Sequence, residues 1–159
     1  MSDVIDDTAV RAEIRAFLHA NHVMSLATIV DGAPHACSLM YAAVDFSLYW
    51  TSEPRTRHSQ VLDVEARVAA TIAPDYGDFR AIRGVQIAGR ARRLRDAADA
   101  ELARKLMSRR FVFLHEIDLL PEPLRRAIVR ADYYRLDPET ITWIDNTHGF
   151  GNRHVLRMT

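Results

Sequence analysis

The sequence predicts a mainly β fold with flanking helices (α+β), in which an antiparallel sheet closes into a barrel. The first observation is a series of about six or seven strand-like segments, with only about two or three helical segments among them. The second is that short turns join consecutive strands, and short turns require antiparallel neighbours. The third is the length of 159 residues with 48% hydrophobic and 26% charged residues, which suits a single domain over residues 1–159.

The chain begins with a predicted helix over residues 6–21, inside an N-terminal segment of residues 1–21. Asp6, Asp7 and Thr8 offer oxygen atoms that can cap its first turn. Its apolar residues recur at helical spacing and form a single stripe: Val10, Ile14, Phe17 and Leu18.

Residues 22–95 are predicted to form the barrel core. Residues 22–30 are rich in β-branched and apolar side chains, and Asp31-Gly32 is a strong hairpin turn because glycine adopts positive φ without steric cost. The returning strand is predicted over residues 33–44, and a third strand over residues 46–51.

A polar, positively charged break over residues 52–58 precedes a predicted short helix. The apolar side of this helix is expected to consist of Val61, Leu62 and Val64. Strands are predicted over residues 68–72 and 82–94, and the second of these has alternating character. In it, one face carries Val85, Ile87, Gly89 and Ala91, and the other carries Gln86, Ala88, Arg90 and Arg92.

Two helices and a C-terminal segment are predicted after the barrel core. Residues 97–110 have helical spacing through Leu102, Leu106 and Arg110, and residues 124–129 form a shorter helical piece. The segment 130–159 is expected to contain the last strands and a tail. Its two strand candidates are Tyr133-Tyr134 and residues 141–144, with a turn at Asp137-Pro138 between them.

Composition excludes several classes of protein. The formal net charge is +0, with 21 basic and 21 acidic residues, which argues against nucleic-acid binding through an overall basic field. The single cysteine, Cys37, cannot form an internal disulfide, and we expect it to be a small buried residue in a reducing compartment. The acidic N-terminus lacks the apolar run of a signal peptide, and no stretch reaches the ~20 apolar residues of a membrane-spanning helix. We therefore expect a soluble, cytoplasmic protein with no membrane partner.

The motifs of several enzyme classes are absent from the sequence. It contains no HExxH, GxxxxGK[ST], GxGxxG or GxSxG pattern, so the zincin, P-loop, Rossmann and serine-hydrolase interpretations fail. His19 and His22 stand three apart, but a solvated helix end explains them better than a metal site. We expect no metal.

The break between the third strand and the short helix carries the most informative chemistry. The strand ends in Thr51-Ser52, and a basic turn, Arg55-Thr56-Arg57-His58, follows where the helix begins. Hydroxyl, guanidinium and backbone N–H groups that converge at a helix N-terminus suit a phosphate dianion. Taken alone, the same composition is also typical of a solvated loop.

The order of these parts resembles the pyridoxamine 5'-phosphate oxidase-like FMN-binding split barrels. The matching segments are Gly-Ala-Pro-His, Leu-Tyr-Trp-Thr-Ser, Arg-Thr-Arg-His and Arg-Val-Ala-Ala-Thr-Ile, with Thr56-Arg57-His58 in the place of the family's Ser/Thr-Arg-Lys phosphate motif. Residues 83–91 resemble the family's long strand, which commonly ends in Gly-x-Ala. The chain end, residues 145–151, is similar to that of a small group of uncharacterised bacterial members, and to the Gly-Phe-Gly tail of haem-degrading members.

The resemblance implies an antiparallel split β-barrel that holds FMN at a homodimer interface and uses a small-molecule substrate. In it, Thr56, Arg57 and His58 would bind the phosphate. The remaining implied cofactor contacts are Thr51 and Ser52 beside the ribityl chain or ring edge, Ser38 under the flavin, and Gln86 and Trp143 across the interface. Packing in the core or at the dimer interface is an equal alternative for Trp143.

Departures from the family pattern limit the expected activity. His58 stands where many relatives have lysine, so one permanent charge becomes dependent on pH and we expect weaker phosphate binding. The C-terminal Arg-x-His-x-Arg signature of true pyridoxamine-phosphate oxidases is absent. We therefore expect an FMN-dependent oxidoreductase with an unknown substrate and no identified catalytic residue. The alternatives are a haem protein that uses His148 or His154, a non-catalytic flavin carrier, and deazaflavin in place of FMN.

Overall fold

The structure of the protein is a computed structural model, and it describes residues 7–158. The described α-helices are α1 (Asp7–Ala20), α2 (Arg57–Leu62), α3 (Ala97–Arg110) and α4 (Glu122–Val129). The described strands are β1 (Val23–Val30), β2 (Ala33–Met40), β3 (Ala42–Val44), β4 (Ser47–Ser52), β5 (Arg67–Ile72), β6 (Arg83–Arg93), β7 (Asp132–Asp145) and β8 (Arg153–Arg157). Single 3-10 turns lie at Phe79–Ala81, Val112–Leu114, Ile117–Leu119 and Asn146–His148. Asp6, one of the expected capping residues, lies outside the described part.

The strands form one antiparallel sheet that curls into a half-barrel. Their order is β2-β1-β5-β6-β7-β4-β3, and β8 pairs with β7 beside this path. The long strand β7 pairs with β4 through its first half and with β8 through its second half. The expectation of a mainly β, antiparallel barrel with flanking helices is confirmed, and the sheet extends beyond residues 22–95 because β7 lies between β6 and β4.

Strand β7 corrects the prediction of two separate C-terminal strands. The Asp137-Pro138 pair does not form a turn; it lies inside one continuous strand, at a bulge opposite Ala88 and Gly89 of β6. Proline lacks the N–H that a ladder needs, so a strand tolerates it at a bulge. A Cβ on Gly89 would lie 2.3 Å from the Asp137 backbone oxygen, so the close approach of the two strands depends on this glycine.

The segment after the hairpin also differs from its prediction. Asp31 and Gly32 both have positive φ, as the predicted turn requires. The returning segment is not one strand over residues 33–44, because Tyr41 separates β2 from β3. The Tyr41 N–H donates to the His22 carbonyl and its hydroxyl donates to the Leu18 carbonyl, so the chain leaves β1 at this residue and β3 pairs with β4 instead.

Helices α1 and α3 pack through buried stripes, and the sequence predicted these two stripes unequally well. All four apolar residues of the α1 stripe are buried. In α3, Leu102 is exposed, and the buried stripe instead contains Ala103 and Met107. Because Ala103 is small, α3 can approach Tyr49 of β4 closely. The spacing of large apolar residues along the sequence does not reveal this contact.

Two smaller expectations also fail. Val64 is exposed, because α2 ends at Leu62 before reaching it. Strand β8 had no counterpart in the prediction, although it pairs with β7 from Thr140 to Ile144. Among residues 7–158, no helix has the length and apolar character needed to cross a membrane.

Candidate functional site

Three side chains that were predicted to contact the cofactor meet where α2 begins. Ser52 Oγ, at the end of β4, lies 2.7 Å from His58 Nε2. Thr56 Oγ1 lies 3.2 Å from both Ser52 Oγ and His58 Nε2, and it donates to the Glu53 carbonyl at 2.9 Å. This group, which we call the hydroxyl cluster (Ser52, Thr56 and His58), is formed because the turn after β4 folds back onto the first turn of α2. The structure thus brings together three of the expected phosphate and ribityl contacts.

His58 is held in a buried position within this cluster. Its side chain is only 8% exposed, and its ring stacks nearly parallel on His35 of β2, with centroids 6.5 Å apart and an interplanar angle of 5°. Burial, followed by repulsion from His35, lowers the pKa of His58 below its ordinary value of 6.5. A lowered pKa favours the neutral imidazole, which weakens His58 as a phosphate ligand compared with lysine.

Arg57 supplies the permanent positive charge beside the cluster. Its side chain is exposed at the first position of α2. Within the described chain, its guanidinium forms no hydrogen bond or ion pair, whereas the neighbouring Arg55 is bound to Glu53. Because α2 has only six residues, these side chains matter more for an anion than the helix dipole does.

Thr51 lies outside the hydroxyl cluster, because its hydroxyl is bonded to the backbone of β7. Thr51 Oγ1 donates to the Asp132 carbonyl at 3.1 Å, next to the pairing of β4 with β7. This contact fixes the end of β4, which carries Ser52 into the cluster.

The sequence analysis did not assign to the site two residues that face the cluster from β2, and Cys37, which was expected to be buried, is only partly buried. His35 and Cys37 are two positions apart on one strand, so both side chains point to the same side, toward α2. One potential ligand atom from each of His35, Cys37 and His58 lies within 4.8 Å of the other two. Burial raises the pKa of the Cys37 thiol. The His-x-Cys spacing on a strand is the signal that would have placed these side chains together.

Ser38 and Gln86 lie on a different surface, the outward face of the sheet. Four exposed polar residues on neighbouring strands are paired in one line across this face: Ser38, Ser25, Thr71 and Gln86. The adjacent line consists of small apolar residues: Ala36, Ala27, Ala69 and Ala88. We call these two lines the outward groove. All of their residues except Ser38 and Ala88 border a shallow depression of about 450 Å³.

Trp143 lies away from both surfaces. It is 1% exposed, its ring packs edge-on against Phe17 of α1, and its Nε1 donates to Glu13 at 3.3 Å. The structure favours packing in the core, one of the two roles expected for this residue.

The two tail histidines face a smaller cleft that shares no lining residue with the depression in the outward groove. His148 and His154 line a cleft of about 220 Å³ with Glu13 and Trp143. Its floor includes Asp145, a buried carboxylate that accepts hydrogen bonds from Thr147 and an ion pair from Arg83. The cleft is separate from the hydroxyl cluster and from the outward groove.

Comparisons of the sequence with known proteins agree on one family. A family model described as pyridoxamine 5'-phosphate oxidase matches residues 10–144. The UPF0306 protein YhbP of Escherichia coli O157:H7 is 30% identical over 144 residues, which cover 89% of this chain and 89% of that protein.

Solved structures support the same fold. A protein from Mesorhizobium loti, described as FAD-binding, matches with a TM-score of 0.66 and 26% identity over 83% of this chain and 91% of its own. A protein from Mycobacterium smegmatis, described as haem-binding, matches with a TM-score of 0.72 and 19% identity over 97% of this chain and 59% of its own. At 19% identity, the second match shows the fold alone.

Proposed function

Because the chain belongs to the pyridoxamine 5'-phosphate oxidase family of split-barrel proteins, we propose that it binds FMN at a homodimer interface and acts as an oxidoreductase on a small molecule. The observation that carries this proposal is Arg57, an exposed guanidinium without a partner in residues 7–158, beside the hydroxyl cluster. An arginine fork with adjacent hydroxyl groups suits the oxygens of a phosphate dianion.

The outward groove supports the proposal that the chain binds the flavin ring. Its line of alanines presents a flat surface without bulky side chains, and the parallel line from Ser38 to Gln86 supplies hydroxyl and amide groups. The hydroxyl cluster and the groove lie on opposite sides of β2. β2 is the last strand of the sheet path, so its unpaired edge lies between these two surfaces.

The same outward face supports a homodimer. Val23, Ile29 and Met40 are large apolar residues on it, and each is at least 40% exposed. Exposed apolar patches on a sheet mark interaction surfaces. A second copy of the chain would remove this patch from water and enclose a flavin bound in the outward groove.

The cofactor and the protein would have different roles in such a site. Bound FMN supplies hydride or electron transfer. Arg57 and Thr56 hold the phosphate, the outward groove orients the flavin, and the second copy excludes water. The absent Arg-x-His-x-Arg signature argues against pyridoxamine phosphate as the substrate.

The proposal is tested by FMN affinity in matched arginine variants. Titration of wild type, Arg57→Ala and Arg55→Ala with FMN should show a loss of affinity of about 10-fold or more for Arg57→Ala, because a charge-assisted bond contributes ~1.5–3 kcal/mol. Arg55→Ala should bind like wild type, because its guanidinium pairs with Glu53. Equal affinity of all three proteins would refute the phosphate assignment. Reduction of bound FMN by NADH or NADPH separates an oxidoreductase from a flavin carrier.

Haem is the second candidate, because His148 and His154 line one cleft. A tail histidine can serve as an axial ligand. The cleft of about 220 Å³ is smaller than the ~300–1,000 Å³ of usual ligand pockets, which ranks haem below FMN. Haem titration of His148→Ala and His154→Ala tests this candidate, and unchanged Soret spectra in both variants would eliminate it.

A further inference from the structure

Three potential metal ligands, two imidazoles and one thiol, meet between β2 and α2. His35 and Cys37 come from β2, and buried His58 comes from α2. One ligand atom from each residue lies within 4.8 Å of the other two. Among residues 7–158, this is the one group of three or more His, Cys, Asp or Glu side chains that are close enough to hold a metal ion. The cluster contains no carboxylate.

We propose that His35, Cys37 and His58 bind a thiophilic cation of the Zn²⁺ type, with one coordination position left open. Imidazole and thiolate ligands select Zn²⁺ and similar ions over Mg²⁺ and Ca²⁺, which prefer oxygen. Three protein ligands and one exchangeable position are the usual composition of a reactive zinc site, whereas structural zinc sites use four.

The distances require only a small adjustment. Zinc bonds of roughly 2.0–2.3 Å in a tetrahedron place neighbouring ligand atoms roughly 3.3–3.8 Å apart. The ligand atoms are within 4.8 Å of one another, so side-chain rotations of about 1 Å complete the geometry. His35 and Cys37 are only half-buried and have room to rotate, whereas His58 is fixed by Ser52 and Thr56.

The surroundings of His58 support a ligand role. Metal-bound histidines commonly have their ring orientation fixed by a hydrogen bond to a neighbouring group. Ser52 Oγ at 2.7 Å and Thr56 Oγ1 at 3.2 Å hold the ring of His58 in this way. Because these contacts engage Nε2, Nδ1 of His58 is the nitrogen left to bind the metal.

This proposal is independent of FMN. Cys37 belongs to the metal site alone, and Arg57 belongs to the proposed phosphate site alone. Cys37→Ser should therefore lose the metal and retain FMN, while Arg57→Ala should lose FMN and retain the metal. The two substitutions separate a failure of one proposal from a failure of the other.

The first experiment measures zinc directly. Protein stripped with a chelator is incubated with Zn²⁺, desalted and analysed for metal content, and we expect about one ion per chain. Cys37→Ser, His35→Ala and His58→Ala should each weaken zinc binding by about 10-fold or more. His19→Ala, which removes an exposed histidine outside the cluster, should bind like wild type. No bound zinc in wild type, or equal binding in Cys37→Ser, would overturn the proposal.

A second measurement is independent of whether the His58 variant folds. Co²⁺ bound to wild-type protein should give a thiolate-to-metal charge-transfer band, and Cys37→Ser should lack it. Zn²⁺ should also slow alkylation of the single cysteine, Cys37. A cobalt complex without the thiolate band, or alkylation at the same rate with and without Zn²⁺, would exclude Cys37 as a ligand and overturn the proposal.

Discussion

The two sides of strand β2 carry different chemistry, although their residues alternate along one short sequence. His35 and Cys37 point toward α2 and are partly enclosed, whereas Ala36 and Ser38 point outward and are exposed. Successive side chains of a strand lie on opposite faces, so neighbours in sequence belong to different surfaces. Residues 35–38 therefore contribute to two candidate sites, a metal site inside and a flavin groove outside.

The two faces of β6 also differ: one contributes to the stability of the core, and the other is available for binding. Ile87 is buried in the main core, and Gln86 next to it is exposed on the outward groove. A substitution on the inward face should act on folding, and one on the outward face should act on ligand or partner. The following substitutions test this separation.

Ile87→Ala should have the largest effect on stability. It removes a side chain that is 2% exposed, and such a change in a core costs about 2–5 kcal/mol. Gln86→Ala is its control and should change the free energy of unfolding by less than about 0.5 kcal/mol, because the side chain is exposed. Urea unfolding of both variants measures this, and similar losses in the two proteins would contradict the division between faces.

Gly89→Ala should also destabilise the protein, by about 1–3 kcal/mol or more. The added Cβ would meet the Asp137 carbonyl oxygen at 2.3 Å and Pro138 Cα at 2.9 Å, and backbone atoms of a paired strand cannot move aside easily. Gly77→Ala offers a comparison, because a Cβ there meets nothing within 4 Å. Thermal unfolding of the two variants should show a lower midpoint for Gly89→Ala alone.

Ala69→Glu should affect association and leave folding nearly unchanged. Ala69 is exposed in the outward groove, so a carboxylate is solvated in a free chain but would be buried without a partner in a dimer. Light scattering should show a monomeric variant and a dimeric wild type, while circular dichroism should show the same secondary structure in both folded proteins. A monomeric wild type would remove the homodimer from the proposed function.

The smallest effect concerns acid stability and Asp145, a buried carboxylate at the end of β7. Burial alone would raise its pKa, but hydrogen bonds from Thr147 and the charges of Arg83 and His148 outweigh burial and hold the pKa below the ordinary value of 3.8. A lowered carboxyl pKa stabilises the folded state above pH 3.8, and this contribution disappears as the pH falls through the folded pKa.

Acid titration of stability checks this sign. Asp145→Asn should be less stable than wild type at neutral pH, and the difference between the two proteins should shrink on acidification through pH 3.8. Asp118→Asn, at an exposed position, should follow wild type throughout. A stability difference that stays constant at all pH values would show that Asp145 acts through shape and not through charge.

Local patterns predicted most of the fold. The period-two alternation of β6 was confirmed residue by residue, and the α1 stripe is buried as its spacing indicated. The predictions were wrong where a contact between residues distant in the sequence determines the local structure. The Asp137-Pro138 pair has the composition of a turn, but the approach of Gly89 makes it a bulge, and no local pattern reports that contact.

The candidate site was predicted less completely than the fold. The residues around Thr56-Arg57-His58 are close in sequence, so their convergence on the hydroxyl cluster followed from one strand, one turn and one helix. His35 and Cys37 lie about twenty positions before His58, and only the packing of α2 against β2 brings these side chains within reach.

The sequence by itself determined the antiparallel barrel, its main elements and the family, because period, turn chemistry and motif order are local properties of the chain. The tertiary structure alone decided which face each candidate residue occupies, that Trp143 packs in the core, and that two histidines and the single cysteine meet. Strand pairing and helix docking are contacts between residues that lie far apart along the chain, so local sequence patterns do not fix them. Because side chains alternate along a strand, a shift of one residue moves a side chain from one face of the sheet to the other.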